Sequence, residues 1–306
     1  MNRFENPNIL HRRNKLNRLK ITIGYLMMVI GISIPLTSFT MISINQIDSR
    51  SRYCDYLNEN KHILYDKEFE KGIELYNMEI KKNTTNIIDP FIADSYETEY
   101  GFLKNDDNKV FAYLVIPSIK IAKPIRLGAT YNHLANGVAQ IDGTSLPIGG
   151  LGNRSVIAGH RGWYGDTMLF HLDELKVGDK VYIDRHGQVL TYSVKNREII
   201  SPSQWDKLKP DAYSDILTLL TCHPKSPPSP FRLLINCERV GVMQKENNKL
   251  NNDKKIGSSE ILAKYEMGGN RVKKAYYIIY SVTIFGWLSL LFVINKFIRS
   301  CFTSSS

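Results

Sequence analysis

Two long uncharged runs bracket the chain, and the hydrophobic pattern changes character twice between them. "ITIGYLMMVIGISIPLTSFTMISI", residues 21–44, has 24 residues without a charge, and "AYYIIYSVTIFGWLSLLFVI", residues 275–294, has 20 more. As helices, both are long enough to cross a hydrocarbon core of roughly 30 Å. A buried core helix is the other reading of such runs, and their length and lack of charge weigh against it. Further along, "LYDKEFEKGIELYNMEIKK" (64–82) sets Phe69, Ile73, Tyr76 and Ile80 at helical spacing among charges. That spacing predicts an amphipathic helix resting on something apolar. The next stretch, "NTTNIIDPFIADSYETEYGFLKNDDNK" (83–109), is polar and irregular. A loop of that length is usually functional or disordered.

From Val110 onward the pattern becomes a series of short β-prone runs broken by Gly, Pro, Asn and Asp: "VFAYLVIP", "IKIAKPIRL", "GVAQI", "RSVIAGH", "KVYID", "QVLTYSV", "ILTLLT" and "FRLLINCERV". Many short strands separated by turn signals predict a mainly β domain, a barrel or a sandwich. "FHLDELKVGD" reads as one short helix or turn within it. Residues 243–274, rich in Asn, Lys and Gly, read as a stem. The organisation expected is a basic N-terminus (1–20), a first span (21–44), a helical region with an irregular loop (45–109), a β domain (110–242), a stem linker (243–274), a second span (275–294) and a short tail (295–306).

Charge changes this picture in one respect. The formal net charge of +10 would suit nucleic acid if it were gathered on the folded domain. Residues 46–244, however, carry 24 basic and 25 acidic side chains. The excess sits at the ends, so a phosphate-binding surface has no support and nucleic acid is not an expected partner. Arg12, Arg13, Lys15, Arg18 and Lys20 precede the first run, as in an uncleaved anchor with a cytoplasmic N-terminus. The β domain would then be extracytoplasmic, and the second run would return the tail to the cytoplasm, with membrane lipid contacted through both helices. Arg271, Lys273 and Lys274 on the outer flank of the second run oppose this orientation; the first helix usually decides.

Candidate chemistry centres on the cysteines. Cys54, Cys222, Cys237 and Cys301 include no C-x-x-C pair and no zinc-type spacing, so neither a metal nor a cofactor is called for. Cys301 would face the cytoplasm, leaving an odd number outside. Cys54 with Cys237 is one candidate disulfide, although nothing in the spacing demands it. A free extracytoplasmic Cys222 needs a base or cation to act as a thiolate. His160, in "SVIAGHRGW", stands at a strand end where a side chain can face a cleft. His223 adjoins Cys222 and on an extended strand would point to the opposite face.

These residues resemble a known family. "TLLTC" (218–222), Arg232 at the start of the next run and "GHRG" (159–162) upstream look like the sortases, membrane-anchored cysteine transpeptidases of Gram-positive bacteria. "IDGTSLPIGGLGNRSVIAGHRG" (141–162) and "LDELKVGDKVYI" (172–183) extend the likeness across about 110–242. The resemblance implies a closed eight-stranded β-barrel. It also implies Cys222 as nucleophile, His160 as general acid and base, and Arg232 stabilising the oxyanion or the substrate backbone.

Three features are similar to class C sortases, the pilin polymerases. They are the second apolar run, the irregular segment before the barrel, and Asp89, Pro90 and Phe91 within that segment, which match the Asp-Pro-aromatic motif of a self-occluding lid. A carboxylate on Arg232 and a ring over Cys222 would occupy the places a substrate needs; taken by itself, Asp-Pro also reads as a plain turn start. The resemblance implies cleavage of an LPxTG-like signal between Thr and Gly through a thioester. The acceptor would be a lysine of the next pilin, and the partners would be pilin subunits bearing a C-terminal sorting signal. A sortase anchoring proteins to peptidoglycan is the alternative with the same chemistry, and a non-catalytic membrane-tethered scaffold is the alternative of another class. The loop "HPKSPPSP" (223–230) departs from the family's usual Thr-Pro-Tyr-Gly-like stretch, and Phe231 stands where a His commonly precedes the arginine.

Overall fold

The computed structural model describes residues 7–59, 67–82, 87–91, 100, 109–240 and 257–302. Most of the irregular segment before the barrel therefore lies outside the described residues, while its Asp89, Pro90 and Phe91 lie within them. The chain divides into two compact units, residues 1–45 with 275–306 and residues 46–274.

Each of the eight β-prone runs forms one strand: β1 (Ala112–Ile116), β2 (Ile121–Leu127), β3 (Val138–Gln140), β4 (Asn153–Ala158), β5 (Lys180–Arg185), β6 (Gln188–Ile200), β7 (Asp215–His223) and β8 (Phe231–Arg239). They close into a barrel in the order β1-β2-β3-β4-β7-β8-β6-β5, so no strand is left as an open edge. Two pairings, β2 with β3 and β4 with β7, are parallel; the others are antiparallel. Closure explains why β1 and most of β7 are buried along their length instead of alternating. The core beneath the site is built from Ala139, Ile141, Val156, Ala158, Leu220 and Leu234, none of them with measurable exposure. Sequence patterning did not single out the short helix Tyr131–Ala135, capped by Thr130 accepting the His133 N–H at 3.3 Å.

Helices α1 (Pro7–Glu59), α2 (Lys67–Lys82), α3 (Tyr131–Ala135), α4 (Ser258–Met267) and α5 (Lys273–Phe302) complete the chain. The expected amphipathic helix is α2, with acidic Glu68 and Glu70 in its first turn and basic Lys81 and Lys82 in its last, complementing the helix dipole. It buries Ile73, Asn77 and Ile80. Asn77 ties it to the barrel twice, accepting the Leu146 N–H at 2.7 Å and donating to the Leu146 carbonyl at 3.3 Å. Glu70 pairs with Arg185 of β5.

The stretch expected to be a linker contains a helix. Within 243–274, α4 sets Ile261 and Tyr265 one turn apart on a single face, and both are buried with Tyr113, Val115, Ala122 and Tyr182 of the barrel. The polar composition of the surroundings concealed that two-residue stripe. The C-terminal turns of α1 join the same cluster through Tyr53 and Tyr56. There Tyr53 donates a 2.5 Å hydrogen bond to Asp184, a fully buried carboxylate that also accepts the Gly187 N–H at 3.0 Å.

In the other unit, α1 and α5 are long and apolar enough to cross a membrane. They lie against each other: Ser43 and Thr283 share a 3.1 Å hydrogen bond, and Trp287 donates to Thr40 at 3.1 Å. Gly286 permits that approach, since a Cβ there would fall 2.6 Å from Leu36 Cδ1.

Replacing Tyr53 with Phe leaves the buried Asp184 one donor short. A hydrogen bond to a charged group is worth about 2 kcal/mol. The thermal midpoint of the full-length protein in detergent is expected to fall by roughly 4–8 °C. An unchanged midpoint would show that this bond does not hold the α1 end to the barrel.

Candidate active site

The site is assembled by the ends of three strands. In β7 every residue from Asp215 to Thr221 is buried, and the strand emerges at Cys222, which is half-buried. Antiparallel pairing sets Cys222 directly opposite Arg232 of β8. Parallel pairing of β4 with β7 aligns Ala158 with Leu220, so His160 and Cys222 lie equally far beyond one matched pair. Two bonds seal that end: the Gly159 N–H to the Leu220 carbonyl at 3.1 Å, and the Thr221 hydroxyl to the Gly159 carbonyl at 2.8 Å. Gly159 is required by close approach, because a Cβ would sit 2.8 Å from Leu169 Cδ1 and 2.9 Å from Val138 Cγ1. That accounts physically for the glycine ahead of His160.

Asp89, Pro90 and Phe91 reach the same place. The Asp89 carboxylate accepts from Arg232 Nε at 3.0 Å and lies 2.8 Å from Nη2, with both residues buried. Its other oxygen accepts the Phe91 N–H at 3.0 Å, closing a tight turn around Pro90. The remaining guanidinium nitrogen, Nη1, donates to the Ser229 and Phe231 carbonyls at 3.0 and 2.9 Å. Phe91, expected over the thiol, has its ring against the other two groups: 5.5 Å from the His160 ring and 5.4 Å from Arg232 Cζ. The reason is geometric, since the turn held by Asp89 fixes where the next side chain falls.

Sequence reasoning missed a second set of neighbours. The indole of Trp163 stacks on the His160 imidazole, with centroids 4.1 Å apart and planes within 13°. Tyr131 of α3 meets that indole edge-on at 5.7 Å. Arg161 points back toward the Cys222 carbonyl at 3.5 Å and pairs with Asp173 at 3.0 Å. Asp173 also holds Lys225 of the proline-rich loop at 3.0 Å, and the Lys225 ammonium lies 4.7 Å from the Phe170 ring centre. The unusual loop is thus tied to the segment following His160. Only the place of Arg161 within the "GHRG" stretch and of Trp163 just after it hinted at any of this.

Electrostatics at the thiol are balanced. Burial is the main influence pushing Cys222 above its ordinary value; Arg232 opposes it, Asp89 adds to it and Arg161 opposes it. Burial also pulls the His160 imidazole below its ordinary value. With Asp89 in place, the environment favours a neutral thiol beside a neutral imidazole.

The remaining candidates separate from the site. Cys54 and Cys237 are free, so the candidate disulfide does not form. Cys54 lies on α1, whereas Cys237 is buried in the barrel wall opposite Leu217 and Val194, where burial pushes its thiol up strongly. His133 bonds the Gly128 carbonyl at 2.7 Å and His171 bonds Glu174 at 2.7 Å.

Comparison with known proteins agrees with this architecture. The sortase-domain family model matches residues 114–240. Sortase C-3 of Streptococcus pneumoniae is 40% identical, with 66% of this chain and 94% of that one covered at a TM-score of 0.56. Another S. pneumoniae sortase C, whose structure bears on catalysis and pilin substrate specificity, is 28% identical over 61% of this chain and 96% of its own, with a TM-score of 0.54. Sortase A of Bacillus anthracis is 26% identical over 157 residues, 51% of this chain and 73% of that protein. The chain belongs to the sortase family of cysteine transpeptidases, and its structural neighbours are class C sortases.

Proposed function

We propose that this enzyme is a membrane-anchored pilin polymerase whose site is closed, when idle, by the turn Asp89-Pro90-Phe91. The observation that carries the reading is the buried Asp89–Arg232 pair across from Cys222, with Phe91 against His160. A segment N-terminal to the barrel occupies two of the three groups that a substrate would use. The class C neighbours, one of them described in terms of pilin substrate specificity, support the choice of acceptor. The two apolar helices support a two-pass anchor holding the barrel outside the cytoplasm.

In this mechanism the turn withdraws and Arg232 is freed for the incoming sorting signal. The Cys222 thiol gives its proton to His160, and the resulting thiolate attacks the Thr carbonyl of an LPxTG-like motif. A sulfur–carbon bond forms, the Thr–Gly bond breaks, and His160 delivers a proton to the departing glycine amine. Arg232 supplies positive charge where the carbonyl oxygen becomes negative. A lysine amine of the next pilin then attacks the thioester. Its proton passes to His160, an isopeptide bond forms and the thiolate is regenerated. Removing Asp89 deletes one influence that raises the Cys222 pKa, so opening and activation are coupled.

Cys222→Ala is expected to abolish the covalent high-mass ladders of pilin in cells, and His160→Ala or Arg232→Ala to slow sorting-signal cleavage by about a hundredfold or more. Persistence of ladders with Cys222→Ala would sink the reading. Attachment to peptidoglycan in place of ladders would replace the pilin acceptor with a wall acceptor.

The second expectation concerns the turn. In the full-length protein in detergent, labelling of Cys222 by a thiol reagent should climb about tenfold per pH unit until the raised thiol pKa is reached. Asp89→Ala should move that profile to lower pH and speed labelling at neutral pH; Phe91→Ala should speed it by exposure. Identical profiles in all three proteins would mean that the turn does not guard the thiol.

A further inference from the structure

We propose that Trp163 is a positioning residue for His160, holding the imidazole plane through proton transfer while the turn at Asp89–Phe91 comes and goes. The inference rests on the reading of His160 as the acid–base group. With the turn in place two rings meet the imidazole: Phe91 lies 5.5 Å away at a 59° tilt, and Trp163 is stacked at 4.1 Å and nearly parallel. Only the first of these neighbours belongs to the segment that must leave. Once it does, the stacked indole is the aromatic contact that remains.

The structure makes that contact rigid. Trp163 and Asp166 exchange backbone hydrogen bonds of 2.9 and 2.8 Å around Tyr164 and Gly165, and Gly165 adopts φ 71, as so tight a turn requires. Asp166 is anchored to the barrel by an ion pair with Lys123 of β2, whose side chain is only 10% exposed. The other Asp166 oxygen accepts the Met168 N–H at 2.8 Å. The Leu169 N–H then returns to the His160 carbonyl at 3.0 Å, closing the loop on the residue it serves. On the far side, Tyr131 backs the indole edge-on. A chain of contacts thus runs from the buried lysine through Asp166 and Trp163 to the imidazole.

Stacking also suits the chemistry. His160 Nε2 is buried and has no hydrogen-bond partner among the described residues, so no polar contact from them to that nitrogen sets the ring orientation. A stacked indole lies on a face of the ring and not on its nitrogens while restricting rotation, and its π-face tolerates the imidazolium that precedes acylation and re-forms in deacylation. The titratable and charged groups around the site include Cys222, Arg161, Arg232, Asp89, Asp173 and Lys225, with Tyr131 and the Asp166–Lys123 pair on the Trp163 side.

The test uses full-length enzyme in detergent. Trp163→Leu is expected to lower kcat by about ten- to a hundredfold, with KM for a sorting-signal peptide changed no more than about twofold. Trp163→Phe, which keeps a ring, should recover most of the loss, and Asp166→Asn should reproduce part of it. A second measurement does not depend on turnover: protonated imidazole quenches a stacked indole. The emission difference between wild type and Trp163→Phe should therefore fall as pH drops from about 8 to about 5 and lose that dependence in His160→Gln. Unchanged kcat in Trp163→Leu, or an indole emission indifferent to pH and to His160→Gln, would overturn the proposal. If His160→Ala were fully active, the acid–base reading would fall while the emission test could still succeed, so the two failures are distinguishable.

Discussion

The pairing of β7 with β4 on one side and β8 on the other is the constraint on which the site depends. Side chains alternate faces along a strand, so a slip of one residue in β7 would turn Cys222 away from both of its neighbours. The slip is prevented by the strand's own composition. Leu217, Leu219 and Leu220 are completely buried, and Thr218 and Thr221 are equally buried with their hydroxyls bonded to Asn236 and to the Gly159 carbonyl. A shifted register would bury unpaired hydroxyls and break the packing on both faces of the strand. The "TLLT" stretch therefore acts as a locating pin, and the reactive residue is the first one past it.

Around that pin, charge is arranged in two carboxylate–arginine pairs flanking one thiol: Asp89 with Arg232, and Asp173 with Arg161. They differ in what stands behind the carboxylate. Asp173 is held by Lys225 as well as Arg161 and belongs to the segment following His160. Asp89 lies on a turn outside the barrel, its carboxylate held by Arg232 and by the Phe91 N–H. Removing one partner from a buried ion pair ordinarily costs several kcal/mol, because the other is left uncompensated. Here the Arg232 guanidinium keeps the Ser229 and Phe231 carbonyls, which offset part of that cost and leave one edge ready for a substrate.

Some of this was legible from residues alone. The eight β-prone runs became eight strands in order, because each was short, rich in β-branched and aliphatic residues, and bounded by turn formers. Helix α2 was legible from a four-residue stripe of apolar side chains. Helix α4 was not, since Ile261 and Tyr265 make only a two-residue stripe whose meaning depends on the tyrosines of α1 and the barrel that it meets. The places of the Phe91 ring against His160 and Arg232 were not legible, because composition cannot say how a turn aims its next side chain.

By itself the sequence determined which residues could do chemistry: one cysteine at the end of a β run, one histidine after a β run and a glycine, one arginine opening the next run. It also determined the series of short β-prone runs, broken by turn formers, that makes a β domain. The tertiary structure decided the rest: that β4 and β7 run parallel and bring His160 level with Cys222, that Asp89 closes on Arg232, that Trp163 stacks on the imidazole, and that Cys54 and Cys237 stay apart. Local patterns are written in neighbouring residues, whereas these contacts join positions from 62 to 143 residues apart, or depend on the angle of a turn. Such contacts exist only once the barrel has closed.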